Sequence, residues 1–174
     1  AEENALNRGI NNFETICCDV SALPFANDTF TAITCRFGFN LFPDMNIALS
    51  EMLRVLKPRG RIVASVWNIP EKNPWVSTSM QMMITMLQLT PPAPGAPGIY
   101  RCSQPGFMAE LFANAGLKNI HQAEAEGKLQ FENPSTYWSF MTETSSPVAY
   151  FKADEALRQQ IKQAVLDKVS RKNP

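Results

Sequence analysis

Histidine occurs once, at His121, and the four cysteines (Cys17, Cys18, Cys35 and Cys102) include no C-x-x-C pair. That spacing offers no Cys/His zinc site, so no metal is expected. Neither sign of charge dominates, since 16 Lys and Arg stand against 16 Asp and Glu. No basic stripe marks a nucleic-acid binder. No apolar run approaches the roughly 18 residues of a membrane span, and no signal peptide opens the chain. Glycine is scarce, eight in 174 residues, and none falls in a G-x-G-x-G loop. Cys17, Cys18 and Cys35 lie in apolar, strand-like runs where a thiol acts as a small hydrophobe. A reduced, cytoplasmic protein is expected.

What is present reads as β-α-β. Residues 13–18 (FETICC) and 30–36 (FTAITCR) are short β-prone runs, and 61–67 (RIVASVW) is a third. Between the last two, Ile47, Ala48, Met52, Val55 and Leu56 recur at helical spacing over 44–57. Asp44 is placed as N-cap and Pro58-Arg59-Gly60 as the stop. Near-continuous apolar strands imply a parallel sheet buried on both faces. The opening AEENALNRG reads as the tail of an amphipathic helix closed by Gly9, as expected of a piece of something longer.

Most prolines fall between 70 and 106. There, Ser79–Leu89 reads as a Met-rich helix leading into the turn-rich 91–98 (PPAPGAPG). Ser103 can cap a helix running to Ala115 with Gly116 ending it. Residues 117–123 and 128–132 read as an antiparallel pair of strands. Residues 134–151 are mixed and aromatic, and Leu157, Ile161, Val165 and Val169 mark a closing helix over 154–169. His121 reads as a structural residue in mid-strand. Trp67, Tyr100, Tyr137 and Trp138 suit either an acceptor pocket or a core.

Ligands of open α/β sheets sit at the carboxyl ends of the strands. Asp19-Val20, Arg36-Phe37-Gly38 and Trp67-Asn68 meet that description. Asp19 can accept from an exocyclic amine while the neighbouring Val20 N–H donates to a ring nitrogen, the complement of adenine's pairing edge. Val20, Leu23 and Phe25 are candidates for the apolar part of such a pocket. A turn or cap role for Asp19 is the alternative.

The pattern as a whole resembles the class I S-adenosylmethionine-dependent methyltransferases, in particular the ubiquinone/menaquinone-biosynthesis type that acts on small molecules. The residues that carry it are Asp19, Leu23-Pro24-Phe25, Phe30, Asp44, Ala48-Leu49, Glu51, Arg54 to Pro58, Gly60 and Trp67, then Phe107 to Ile120. The resemblance implies S-adenosylmethionine as cofactor, S-adenosylhomocysteine as product and methyl transfer to a small-molecule acceptor. Asp19 and Val20 would hold the adenine. Arg36, mainly through its backbone, and Phe37 would lie near the methionine half. Arg54 and Lys57 would be solvated or packing residues, and no catalytic residue is assigned.

Two departures appear: Thr31 where the family often has an acidic residue, and Arg59 in place of a glycine. The family's glycine-rich loop and its ribose-binding acid are not found. The expected fold is therefore α/β: a Rossmann-like methyltransferase sheet lacking its first two strands, with a helical cap insertion. Residues 1–68 and 103–133 would form the partial core, 69–102 the cap, and 134–174 a C-terminal helical segment. Exposed strand edges would favour a homo-oligomer, such as a strand-swapped dimer, or a rearranged sheet. A non-catalytic methyltransferase-like binding or dimerisation module is the second functional expectation.

Overall fold

The computed structural model describes residues 1–90, 92–93, 95–145 and 147–172. Pro91 and Pro94 of the proline-rich connection, and the last two residues of the expected C-terminal segment, lie outside them. The chain divides into two compact units, 1–65 and 66–174, and helices and strands mix as in an α/β protein.

The first unit opens with helix α1 (Glu2–Leu6). Gly9, at φ +72°, ends it, and the Ile10 N–H returns to the Ala5 carbonyl at 2.9 Å. Strand β1 (Phe30–Arg36), helix α2 (Met45–Val55) and strand β2 (Leu56–Ser65) follow. The two strands pair in parallel, with Ala32 opposite Arg61 and Arg36 opposite Ser65. Asp44 caps α2 as its type and place require, Oδ1 accepting from the Asn46 N–H at 2.8 Å and the Ile47 N–H at 3.0 Å. The helix buries Ala48, Leu49, Met52 and Val55. Ile47, expected on that face, is exposed, and Leu49 takes the inward position.

Between the helix and the paired part of β2, Arg59 sits at φ +67°. A Cβ in that left-handed region costs about 1 kcal/mol, which glycine would avoid. Its neighbour does need to be glycine. A Cβ on Gly60 would lie 2.6 Å from Leu56 side-chain carbons and 2.8 Å from the Lys57 carbonyl oxygen.

The expectation of a sheet buried on both faces is corrected. Ile33, Cys35, Ile62 and Ala64 share the better-covered face, whereas Thr34, Arg36, Val63 and Ser65 are exposed. The strand expected over 13–18 does not form. Cys17 and Cys18 are exposed there, and the Thr15 N–H and hydroxyl bond Glu2 at 2.8 and 2.6 Å. A β-prone run needs a neighbour to ladder with, and β1 and β2 pair only with each other among the described residues. The strand pair expected at 117–123 and 128–132 is likewise absent, and both runs are largely exposed. A two-stranded hairpin without an apolar face to dock is marginal in water. His121 accordingly lies in an exposed, irregular stretch rather than in mid-strand.

The second unit is helical: a 3-10 turn (Pro70–Lys72), then α3 (Pro74–Met86), α4 (Phe107–Asn114), α5 (Pro134–Thr144), α6 (Val148–Lys152) and α7 (Glu155–Lys172). Helix α3 begins at Pro74 rather than Ser79, because a proline at the first helical position carries no N–H to leave unpaired. Helix α4 starts after Gly106, at φ +81°, not at Ser103. Gly116, at φ +87°, closes it as expected.

Val76, Met83, Tyr137, Trp138, Met141, Tyr150, Ile161 and Val165 form one buried cluster. The Met-rich segment and the four-residue spacing of α7 thus both serve packing. The Tyr137 hydroxyl donates to the Trp75 carbonyl at 2.7 Å and takes a hydrogen bond from Ser79. Tyr137 and Trp138 are therefore core residues. No described helix is long and apolar enough to cross a membrane.

Candidate functional site

Asp19 and Val20 lie on the loop that leads toward β1. The Ser21 N–H and hydroxyl both donate to Asp19 Oδ1 at 2.8 Å, closing an Asx turn. These bonds, the backbone one first, hold the carboxyl below its ordinary range. They engage only one oxygen. Oδ2, and the N–H of half-buried Val20, have no hydrogen-bond partner among the described residues. An anionic acceptor thus stands one residue from an unengaged donor.

Farther along the loop, the Phe25 ring departs from the pocket role expected of it. The Arg54 guanidinium reaches the Leu23 carbonyl at 2.9 Å, the Phe25 carbonyl at 2.7 Å and Asn27 Oδ1 at 3.0 Å. Glu51 accepts from the Leu23 N–H at 2.9 Å and from Arg54 at 2.8 Å. The Phe25 ring packs edge-on to Phe30, 4.9 Å between centroids. Phe30 is the first residue of β1, about 20 Å from its carboxyl end at ~3.3 Å per residue. The Leu23 backbone and Phe25 therefore tie the loop to the last turns of α2 and the start of β1. Arg54 is a clamp, more engaged than a merely solvated or packing residue.

The clamp makes loop order depend on acid. Hydrogen bonds from Arg54, then from the Leu23 N–H, hold Glu51 at about 2. An unfolded glutamate titrates near about 4.3. A depressed folded value means that the stabilisation is complete above the unfolded value and disappears as pH falls through the folded one. Wild type is expected to exceed Glu51→Gln in stability at neutral pH, with the gap closing between about pH 4 and 2. Urea midpoints of both proteins across that range check this.

The carboxyl end of β1 carries Arg36 and Phe37. The Phe37 N–H donates to the Ser65 carbonyl at 2.9 Å, so pairing with β2 runs one residue past the strand. Phe37 then turns into left-handed backbone at φ +59°. The exposed Arg36 guanidinium stacks over its ring, 5.3 Å from the centroid. A tight turn follows, with the Leu41 and Phe42 N–H groups both returning to the Gly38 carbonyl at 2.8 and 3.2 Å. A Cβ on Gly38 would lie 2.7 Å from Cys35 Sγ and 2.9 Å from the Phe42 ring, so only glycine fits. Burial pushes the Cys35 thiol up, partly offset by the Gly38 and Phe39 N–H groups directed at it.

Arg36, Phe37 and the end of β2 are thus brought together, while the bonds of Asp19 stay within its own turn. Trp67 and Asn68, the third strand-end pair expected, follow the close of β2 at Ser65 and belong to the second unit. Sequence reasoning did not single out Asn40, which is buried in the turn after Phe37. No group of acidic, histidine or cysteine side chains among the described residues could hold a metal ion.

Residues 1–64 match a family model described as a methyltransferase domain. A ubiquinone/menaquinone biosynthesis C-methyltransferase (UbiE) of Marinomonas sp. is 42% identical over 66 residues, 37% of this chain and 26% of that protein. A demethylmenaquinone methyltransferase of Streptomyces avermitilis is 38% identical over 69 residues, 40% of this chain and 30% of that protein. A UbiE of Desulfotalea psychrophila is 33% identical over 113 residues, 60% of this chain and 46% of that protein. The chain therefore spans less than half the length of these curated relatives. Over the matched segment, the resemblance to class I S-adenosylmethionine-dependent methyltransferases is borne out.

Proposed function

We propose that the protein to which this chain belongs transfers a methyl group from S-adenosylmethionine to a small-molecule acceptor. The observation that carries the reading is the pair on consecutive residues: an unengaged oxygen of ionised Asp19 beside the unengaged N–H of Val20. An adenine presents the matching amine and ring nitrogen, so the residues present fit the nucleoside. Arg36 and Phe37, at the carboxyl end of β1, flank the methionine half. The names of the relatives point to a quinone-like ring as acceptor.

When bound, the cofactor supplies an activated sulfonium methyl that an acceptor nucleophile takes by in-line displacement. The chain's own part is to orient. Asp19 holds the base, Ser21 orients its carboxylate, and the Glu51–Arg54 clamp anchors the loop behind it. β1, α2 and β2 are read as part of a Rossmann-like sheet whose outer strand edges suit pairing with a second copy. A cytoplasmic setting, where thiols stay reduced, suits the exposed Cys17 and Cys18.

Calorimetry with S-adenosylhomocysteine tests the reading. Asp19→Ala is expected to weaken binding about tenfold or more, the size of a lost hydrogen bond to a charged group. Equal affinity in both proteins, or none in wild type, overturns it.

A further inference from the structure

On the less covered face of the sheet, four side chains meet near the strand ends. The register sets Thr34 beside Val63 and Arg36 beside Ser65. Residues opposite each other on paired strands share a face, and all four are exposed. With Cys35 they line an open groove of about 190 Å³, with no acidic side chain among its walls. Val63, 63% exposed, gives it an apolar floor.

The charge at the groove is unanswered. Arg36 has no carboxylate partner among the described residues, and the Thr34 and Ser65 hydroxyls have no hydrogen-bond partner there. The Phe37 ring, 5.3 Å from the guanidinium carbon, steadies Arg36 without neutralising it. Its planar N–H fork is left for an anion. An apolar floor alone would take any ring, and a guanidinium alone any anion. Side by side they select a molecule that is both.

We infer that this groove is the acceptor subsite, and that it takes a flat aromatic ring carrying an anionic oxygen, the ring on Val63 and the oxygen on the Arg36 fork. The inference deepens the methyl-transfer reading and rests on it. The groove lies at the carboxyl ends of the strands, where α/β sheets take their ligands. Phe37, which steadies Arg36, is also the residue read as flanking the methionine half, so the ring stands beside the methyl donor. An ionised ring oxygen makes that ring the better nucleophile.

Calorimetry at neutral pH, on protein saturated with S-adenosylhomocysteine, tests this with three probes: 1-hydroxy-2-naphthoate (ring and anion), 1-naphthol (ring, uncharged at that pH) and acetate (anion without ring). Wild type is expected to bind the naphthoate about tenfold or more tighter than naphthol, the size of a hydrogen bond to a charged group, with acetate too weak to measure. Arg36→Met, which keeps the stem and removes the charge, should erase that difference. Val63→Ser should weaken both ring probes about fourfold. Both residues are exposed, so the fold should tolerate either change. Equal wild-type affinity for the two rings, or a difference that survives in Arg36→Met, overturns the inference. Unchanged ring affinity in Val63→Ser also overturns it, and if sedimentation velocity shows that this variant has lost a dimer, the face belongs to a second copy. A wild type that binds S-adenosylhomocysteine but neither ring overturns the inference and leaves the methyl-transfer reading standing. One that does not bind S-adenosylhomocysteine overturns both.

Discussion

Phe39→Ala is expected to destabilise the first unit by about 3–5 kcal/mol, the usual cost of emptying a buried aromatic site. Phe39 is fully buried and meets Phe42 edge-on, 5.3 Å between ring centroids. With Leu49, Val55 and Met52 it makes up much of a small core. Because domains are stable by only about 5–15 kcal/mol, the loss removes a large share of the margin. No tryptophan or tyrosine lies in residues 1–65, so fluorescence is silent there. Hydrogen exchange at the α2 and β1 amides reads the effect, and protection equal to wild type would contradict it.

Ile161→Ala is the counterpart in the second unit, with an expected cost of about 2–5 kcal/mol. Ile161 is fully buried on α7, in the cluster that includes Met83, Tyr137 and Trp138. All three tryptophans, Trp67, Trp75 and Trp138, fall in this unit. Intrinsic fluorescence during urea unfolding therefore reports on it alone. The midpoint should move to clearly lower urea, and an unmoved midpoint would mean that α7 is not part of the cooperative core.

Both substitutions lie where local pattern and packing agree, and that agreement marks how far the sequence could be read. The Asp44 cap and the period of α2 are local facts, written in adjacent residues. So are the four-residue spacing of α7 and the glycine stops at Gly9 and Gly116. The β-prone runs at 13–18 and 117–132 are not local facts. A strand needs a partner, and composition cannot say whether one is present.

Proline and cap signals were legible but under-read. Pro74 opens α3. Pro134 opens α5 behind Asn133, whose side chain accepts from the Thr136 N–H at 2.9 Å. At the site, Asp19 could be picked out from its motif. The grip of Arg54 on the 23–27 loop joins residues about thirty apart in sequence, and only the fold brings them together. The burial of Asn40 left no trace at all, since it is set by packing.

The neighbouring thiols at 17 and 18 deserve a practical reading. They point to solvent just ahead of Asp19, whereas Cys35 and Cys102 are enclosed. A maleimide dye added briefly to native protein should therefore attach at the 17–18 pair, planting a fluorescent reporter beside the place where a nucleoside would settle. The same accessibility would let two molecules become covalently joined in air, so any measurement of their association calls for a reducing buffer.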